Sequence, residues 1–266
     1  MENPFEDPHF VHATKVEEVE GDLKLVCFPG GFRCYTHSDE REVMLLYNEI
    51  FIKQEYLGTN LTLESCRYIF DVGANIGLFT IFAKKINPDA IVHAFEPIKA
   101  TYDVLVKNIA LHGLTDIHVH NHAIGSEDGR ERAMTFYPHT AGNSTAHPES
   151  KDVLKRILAE VIGLAQASYL FQSPQVQTVP SRTLSAVIHE EGVPSIDLLK
   201  IDTEGDELPV LQGISQVHYP IIRQIAAELH SETDLTEAKE ILRSRGYEVL
   251  SETGIALANI LCAVKR

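Results

Sequence analysis

The sequence is poor in cysteine. It has four cysteines in 266 residues, and none of them forms a Cys-x-x-Cys pair. Four cysteines are too few to form a disulfide scaffold in a chain of this length. We therefore expect a cytoplasmic enzyme. Cys66 and Cys262 lie in apolar stretches and are predicted to be small core residues.

Basic charge and long apolar runs are also scarce. The chain has 23 Lys and Arg against 38 Asp and Glu, a net charge of −15 with neutral histidine. Such an acidic surface repels phosphates, so neither nucleic acid nor an anionic membrane is an expected partner. No apolar run approaches the roughly 20 residues of a membrane span. Residues 1–7 lack the basic and apolar regions of a signal peptide.

From Arg67 onward, short apolar strands alternate with helical patterns. The predicted strands are 67–70, 90–95, 117–124, 196–201, 221–229, 247–250 and 260–264, and the predicted helices are 78–85, 100–112 and 235–245. Because the strands are almost continuously apolar, we predict an α/β fold whose mostly parallel sheet has helices on both faces. Sheets of this kind bind ligands at the carboxyl ends of their strands.

Two regions fall outside this alternation. Residues 1–66 contain a short strand at 23–26 and a helical stretch at 39–56 that includes Tyr47 and Glu49. Residues 139–180 form a long insertion in which 150–171 is predicted to be one helix. Connections of this length are usually binding or covering elements. We therefore predict one domain, 67–266, with an inserted lid helix, and an N-terminal extension, 1–66, that covers the site and binds substrate.

The turn after the first sheet strand is the most informative segment. It reads Asp71-Val72-Gly73-Ala74-Asn75-Ile76-Gly77, and its glycines allow a ligand to approach the backbone. A dinucleotide site needs the closer glycines of G-x-G-x-x-G. Asp71 would repel a diphosphate, but its carboxylate suits the ammonium or sulfonium of S-adenosylmethionine. Glu96 ends the next strand, where a carboxylate can accept both ribose hydroxyls.

Several motifs together resemble the FkbM-type S-adenosylmethionine-dependent methyltransferases. Besides the turn, they are Phe95-Glu96-Pro97, Gly142-Asn143-Ser144 and the stretch from Leu199 to Glu207, followed by Leu211 and Gly213, over about Arg67 to His230. The resemblance implies a class I, Rossmann-like methyltransferase fold and O-methylation of a hydroxyl on a polyketide, macrolide or sugar. The acceptor is a small molecule, either free or carrier-bound. Thr203 and Asp206 depart from the family, which commonly has Val and Ala there.

The resemblance also implies roles for individual residues. Asp71, Gly73, Asn75 and Gly77 would contact the methionine part of the cofactor, and Glu96 its ribose. Asn143 and Ser144 match an element near the cofactor. Ala123 ends the third strand, where the adenine base usually rests and a small residue leaves room for the ring.

Methylation of an alcohol needs a base, and histidine is the commonest one. His230 follows the strand 221–229, and Glu228 lies two residues earlier on the same side of that strand, where it could orient the imidazole. Asp202 ends the fourth strand and could face the methyl group or the substrate. With His230 these oxygens could instead hold Mg²⁺, although a metal is not favoured. His139 and His147 flank the Gly142-Asn143-Ser144 element and are alternative bases.

His118, His120 and His122 alternate along one strand as a zinc site would require. Burial with hydrogen-bond partners is the favoured explanation for them. Two other functions stay open: a nicotinamide-dependent oxidoreductase, disfavoured because G-x-G-x-x-G is missing, and a non-catalytic nucleoside-binding protein.

Overall fold

The strands and helices follow the periodicities of the sequence closely. The computed structural model describes Phe5 and residues 7–58, 61–255 and 258–266, and within these ranges it has thirteen strands and eight α-helices. The strands are β1 (Lys15–Glu20), β2 (Leu23–Cys27), β3 (Arg33–Thr36), β4 (Tyr68–Val72), β5 (Ile91–Phe95), β6 (Ile117–His120), β7 (Ala123–Ile124), β8 (Arg130–Phe136), β9 (Gln175–Arg182), β10 (Ile196–Ile201), β11 (Ile222–Leu229), β12 (Tyr247–Ile255) and β13 (Ala258–Lys265). The helices are α1 (Glu40–Tyr47), α2 (Leu78–Ile86), α3 (Lys99–Leu111), α4 (Lys151–Ile162), α5 (Leu164–Leu170), α6 (Leu184–Glu191), α7 (Glu207–Gln212) and α8 (Glu232–Ser244).

Seven strands form the central sheet, in the order β12-β13-β11-β10-β4-β5-β6. Only β13 runs against its neighbours β11 and β12, so the prediction of a mostly parallel sheet is confirmed. The chain continues from β4 to β5 and β6 on one side, and later adds β10 and β11 on the other. The strand order therefore reverses between β4 and β10, and the crevice at such a reversal is where open α/β sheets bind ligands.

Both faces of the central sheet are covered. Ile69 and Leu198 pack with Phe79 of α2 on one face, whereas Phe70 and Leu199 pack with α6 and α8 on the other. The four strand residues have no measurable exposure. Consecutive residues of one strand thus pack into the cores on opposite faces of the sheet. This explains why the sequences of these strands are continuously apolar.

The N-terminal region forms a separate antiparallel sheet, β1-β2-β3, followed by α1. The rings of Phe28, Tyr47 and Phe51 stack here, with centroids 4.1 and 4.9 Å apart, and this layer packs against α2. The prediction of a single helix over 39–56 is wrong. The α-helix ends at Tyr47, and a π-helical turn (Asn48–Ile52) and a 3₁₀ turn (Glu55–Leu57) follow.

The insertion also differs from its prediction. The expected helix over 150–171 is broken at Gly163, whose φ of +87° and ψ of 149° are not helical, so that α4 and α5 are separate. The end of the predicted insertion is strand β9, which pairs with β7 and β8 in a second three-stranded sheet. The strand predicted over 117–124 is likewise split, because β6 joins the central sheet and β7 joins this second sheet.

Two further expectations concern burial and membranes. Cys66 and Cys262 are 1% and 2% exposed, which confirms both as core residues. Among the described residues, no helix combines the length and the apolar composition that crossing a bilayer requires.

Candidate active site

A cavity of about 850 Å³ opens at the carboxyl ends of the central strands. One side, which we call the strand-end wall, consists of residues at or after the strand ends: Gly73, Asn75, Glu96, Ala123, Asp202, Glu228 and His230. The opposite side, which we call the helix wall, consists of apolar residues of α1, α4 and α5: Leu45, Leu46, Leu154, Ile157, Leu158, Val161 and Leu170. The cavity is therefore polar at the sheet and apolar beneath the two regions predicted to cover it.

The bend after β4 requires glycine at position 73. Gly73 has a φ of +79°, and a Cβ atom there would lie 1.6 Å from the carbonyl oxygen of Asp202. The chain therefore brings the end of β10 against the bend, which only a residue without a side chain permits. Gly77 meets a different constraint. Its Cβ would lie 2.4 Å from a methyl of Leu105 on α3, and Gly77 does not line the cavity.

Asp71 does not line the cavity either. Its carboxylate is fully buried, accepts a hydrogen bond from the Thr80 hydroxyl at 2.7 Å, and lies 3.2 Å from the Lys200 ammonium. Lys200 also lies 3.3 Å from a carboxylate oxygen of Asp202 and donates to the Gly73 carbonyl at 2.7 Å. Although burial opposes its charge, Asp71 and Asp202 raise the pKa of Lys200. Two carboxylates thus surround one ammonium, which leaves one negative charge, and Asp202 is the member that lines the cavity.

Glu96 has the position that a ribose site requires. Its two carboxylate oxygens accept the backbone N–H groups of Asn75 at 3.0 Å and Ile98 at 2.9 Å, which fixes the side chain. Burial raises the pKa of Glu96 to about 7. Ala123, 7% exposed, packs with Ile98 and Met134 in an apolar patch beside it.

Asn143 and Ser144 line the same cavity. The Asn143 amide donates to the Thr140 hydroxyl at 2.9 Å, and the Ser144 hydroxyl accepts the backbone N–H of Tyr137 at 3.3 Å. A Glu42 carboxylate oxygen on α1 accepts the Thr140 hydroxyl at 2.7 Å and the Gly142 N–H at 3.0 Å. The N-terminal extension is therefore attached directly to this element.

Tyr56 is a cavity residue that sequence reasoning missed. Its hydroxyl lies 2.9 Å from an Asp202 oxygen and 2.7 Å from a Glu228 oxygen. Burial, and next the charge of Asp202, raise the pKa of Glu228 well above its ordinary value, so Glu228 retains a proton. No local pattern around Tyr56 marks it, because its partners lie far away in the chain.

His230 and Glu228 lie together as predicted, but other carboxylates are closer. His230 is 3.2 Å from Glu204, 3.5 Å from Glu207 and 3.7 Å from Glu228. Although burial favours the neutral ring, Glu204 first and then Glu207 raise the pKa of His230 to about 12. The imidazole is therefore held in its protonated form in this arrangement.

The alternative bases are engaged outside the cavity. The His139 ring stacks on Tyr169 with centroids 4.4 Å apart, and His147 lies 2.9 Å from Asp206. Neither residue lines the cavity. A role as the base stays a prediction for both histidines. Each side chain would have to break these contacts to reach an acceptor.

The three alternating histidines are separated from one another, and the favoured explanation, burial, is wrong for His118. His118 is exposed, His120 lies 3.2 Å from His93, and His122 lies past the end of β6 and lines the cavity. Over the ranges that the structure describes, no three Asp, Glu, His or Cys side chains at the cavity bring their ligand atoms within 4.8 Å of one another. Mg²⁺ beside Asp202 therefore stays an alternative in which water would supply most of the ligands.

The strand-end wall fits an adenosine nucleoside with a cationic amino-acid part. Glu96 offers a fixed carboxylate to vicinal hydroxyls, and the apolar patch at Ala123 offers a surface for a base. The buried side-chain oxygen of Asn75 has no hydrogen-bond partner, although it lines the cavity. An unpartnered buried acceptor suits a donor such as an ammonium group.

Comparison with known proteins identifies relatives that are methyltransferases. The family model "Methyltransferase FkbM domain" matches residues 71–249. The chain is similar to "31-O-demethyl-FK506 methyltransferase FkbM" of Streptomyces tacrolimicus, with 36% identity over 226 residues that cover 81% of this chain and 86% of that protein. It is also similar to "Methyltransferase 1" of Beauveria bassiana strain ARSEF 2860, with 34% identity over 213 residues that cover 79% and 83%.

A solved structure is similar at a lower level. The precorrin-6y C5,15-methyltransferase of Geobacter metallireducens GS-15 superposes with a TM-score of 0.46 at 13% identity, over 81% of this chain and 88% of that chain. The family model alone spans more than half of the chain and contains the bend after β4, Glu96 and the acidic residues after β10. The chain therefore belongs to the FkbM methyltransferase family, has the class I methyltransferase fold, and is an S-adenosylmethionine-dependent methyltransferase.

Proposed function

We propose that the chain methylates a hydroxyl group on an apolar small molecule, in the class of polyketide, macrolide and sugar-containing natural products. The observation that carries this proposal is the division of one cavity into a polar strand-end wall and an apolar helix wall. An acceptor with a large apolar body would lie against α4 and α5 and present its hydroxyl to the acidic residues. The name of the Streptomyces relative, 31-O-demethyl-FK506 methyltransferase, supports a hydroxyl acceptor of this kind.

The strand-end wall would position the cofactor. Glu96 would accept the ribose hydroxyls, the Ala123 patch would contact the base, and the side-chain oxygen of Asn75 would face the ammonium. When bound, S-adenosylmethionine supplies an electrophilic methyl group on a positively charged sulfur. The protein then has to align the acceptor oxygen and remove its proton, and alignment contributes up to roughly 7–11 kcal/mol in ideal intramolecular cases.

We assign to Asp202 the removal of the proton from the acceptor hydroxyl. Glu228 and His230 both hold protons in this arrangement, because their pKa values are raised. Asp202, by contrast, lies beside the ammonium of Lys200 and the Tyr56 hydroxyl and lines the cavity at the end of β10. His230 as the base stays a prediction, and it requires the pKa to fall from about 12 to near neutrality when the cofactor's positive charge is added.

The experiment that tests the function is methyl transfer from a trideuteromethyl-labelled cofactor to a set of macrocyclic alcohols. We expect a methyl ether, identified by mass spectrometry and NMR, and no product from the matched amines or from NAD-dependent oxidation. Asp202→Asn is expected to lower kcat by roughly 100- to 10,000-fold, as loss of a positioned base does. Asp103→Asn, an exposed residue on α3, is the matched control.

The pH profile separates the two bases. With Asp202 as the base, His230→Gln keeps the shape of the kcat profile near neutral pH, because the wild-type ring does not titrate there. Loss of a titration near neutrality in His230→Gln would instead assign the proton to His230. Transfer to nitrogen, or no transfer despite cofactor binding, would overturn the proposed function.

A further inference from the structure

A group of metal-ligating side chains lies on the sheet face that α6 covers, away from the methyl-transfer cavity. It comprises His93 of β5, His118 of β6 and Glu191 at the end of α6, and one ligand atom of each lies within 4.8 Å of the other two. Within the described residues, this is the only group of three or more His, Cys, Asp and Glu side chains that meets this limit. None of the three lines the cavity.

The strand register places the two imidazoles together. His93 and His118 are paired residues of the parallel strands β5 and β6, so their side chains project from the same face. Their rings are nearly parallel, with centroids 4.6 Å apart and an angle of 7° between the planes. They therefore present their nitrogen edges side by side, which allows one ion to contact both.

The surroundings of His93 resemble the support that a metal-bound histidine receives. Its Nδ1 atom lies 3.2 Å from Nε2 of His120, which leaves Nε2 of His93 as the ligand atom. Ligating histidines usually bond through their second nitrogen to a partner that fixes the tautomer and the ring orientation.

The carboxylate of the group is available to an ion. Glu190, the preceding residue, is paired with Arg182 at 2.7 Å, whereas Glu191 has no ion pair among the described residues. Ligand atoms around a tetrahedral zinc ion lie about 3.4 Å apart, given metal–ligand distances near 2.0–2.1 Å. His118 and Glu191 are exposed side chains and can close the remaining gap by rotation, without movement of the backbone.

We propose that His93, His118 and Glu191 bind a zinc-like divalent transition-metal ion that links β5, β6 and α6. Two imidazoles and one carboxylate, with water completing the coordination, are a ligand set of zinc and of its neighbours in the transition series. The ion would tie the end of α6 to the edge of the central sheet. The site is independent of the cofactor, of the acceptor and of the proposed function.

Calorimetry with zinc chloride on chelator-treated full-length protein tests the site. We expect one ion per chain and a rise in Tm with zinc. We also expect the visible d–d absorption of a four- or five-coordinate ion when cobalt replaces zinc. His118→Ala and Glu191→Gln are each expected to weaken zinc binding by at least about 10-fold and to remove the cobalt spectrum. Both side chains are exposed, so both variants should fold, which circular dichroism verifies.

The matched controls come from the same helix. His189→Ala and Glu190→Gln remove the same groups from exposed positions next to the site, and we expect both to bind zinc like the wild type. Absence of zinc binding in the wild type would overturn the proposal. So would binding that survives either His118→Ala or Glu191→Gln, because the ion would then lie elsewhere, for example among the acidic residues of the cavity.

Discussion

The two walls of the cavity are built in opposite ways. Two carboxylates of the strand-end wall are already held by protein partners: Glu96 accepts two backbone N–H groups, and Asp202 contacts Lys200 and Tyr56. The helix wall offers apolar side chains that are mostly half-buried, and Val153 is 56% exposed. The cofactor, which is the same in every reaction, thus meets a preorganised surface. The acceptor meets an apolar surface, where binding depends on how well the two shapes match.

Polar contacts join the covering segments to the cofactor side of the cavity. Lys151, which begins α4, pairs with Glu204 in the acidic loop after β10, and Glu42 of α1 holds the turn at 140–142. Both contacts join a covering segment to a cofactor-side segment. We therefore expect substitutions at the strand-end wall to alter the affinity for the cofactor. We expect substitutions at the helix wall to alter only the KM for the acceptor.

Gly73→Ala has the largest expected effect. A Cβ atom would overlap the Asp202 carbonyl at 1.6 Å and occupy a φ of +79°. Strain and overlap together cost about 4 kcal/mol, or roughly 1,000-fold in affinity for S-adenosylhomocysteine by calorimetry. Gly129→Ala is the control, because it has a φ of +69° but no atom within 4 Å. If both variants lose affinity equally, the close contact with β10 does not explain the glycine.

Glu96→Gln has the next largest effect. The amide keeps one oxygen acceptor but loses the charge, and hydrogen bonds to a charged group contribute about 1.5–3 kcal/mol, so affinity for S-adenosylhomocysteine should fall roughly 100-fold. Glu49→Gln removes the same charge from the N-terminal side of the cavity, and affinity for S-adenosylhomocysteine, which would lie against the other wall, should not change. Equal losses in both variants would mean that the cavity responds to net charge and that Glu96 has no specific role.

The strand-end wall could be predicted from the sequence because its signals are local. Strand ends, glycines and single carboxylates within a few residues mark the bend and Glu96. The role expected for Asp71 depends on a neighbouring strand instead. Lys200 is the register partner of Asp71 on β10 and neutralises it. A lysine within a largely apolar strand was the available signal for this buried counter-ion.

The rest of the site depends on contacts between distant segments. Tyr56 lies 146 and 172 residues from its partners Asp202 and Glu228, and no pattern in the sequence links them. The same holds for Glu204 and Glu207, which raise the pKa of His230, because their distances from the imidazole depend on the conformation of the loop after β10. The break at Gly163 was more accessible, because glycine at a positive φ commonly ends a helix.

The smallest expected effect tests the helix wall. Ile157 projects from α4 into the cavity and is half-buried. Ile157→Ser removes part of an apolar contact worth about 1.5–3 kcal/mol when complete, so we expect the acceptor KM to rise roughly 10-fold. Affinity for S-adenosylhomocysteine should stay constant, because the cofactor meets the other wall. Leu164→Ala is the matched control, since this residue is 73% exposed and lies outside the cavity. A fall in cofactor affinity with an unchanged KM would reverse the assignment of the two walls.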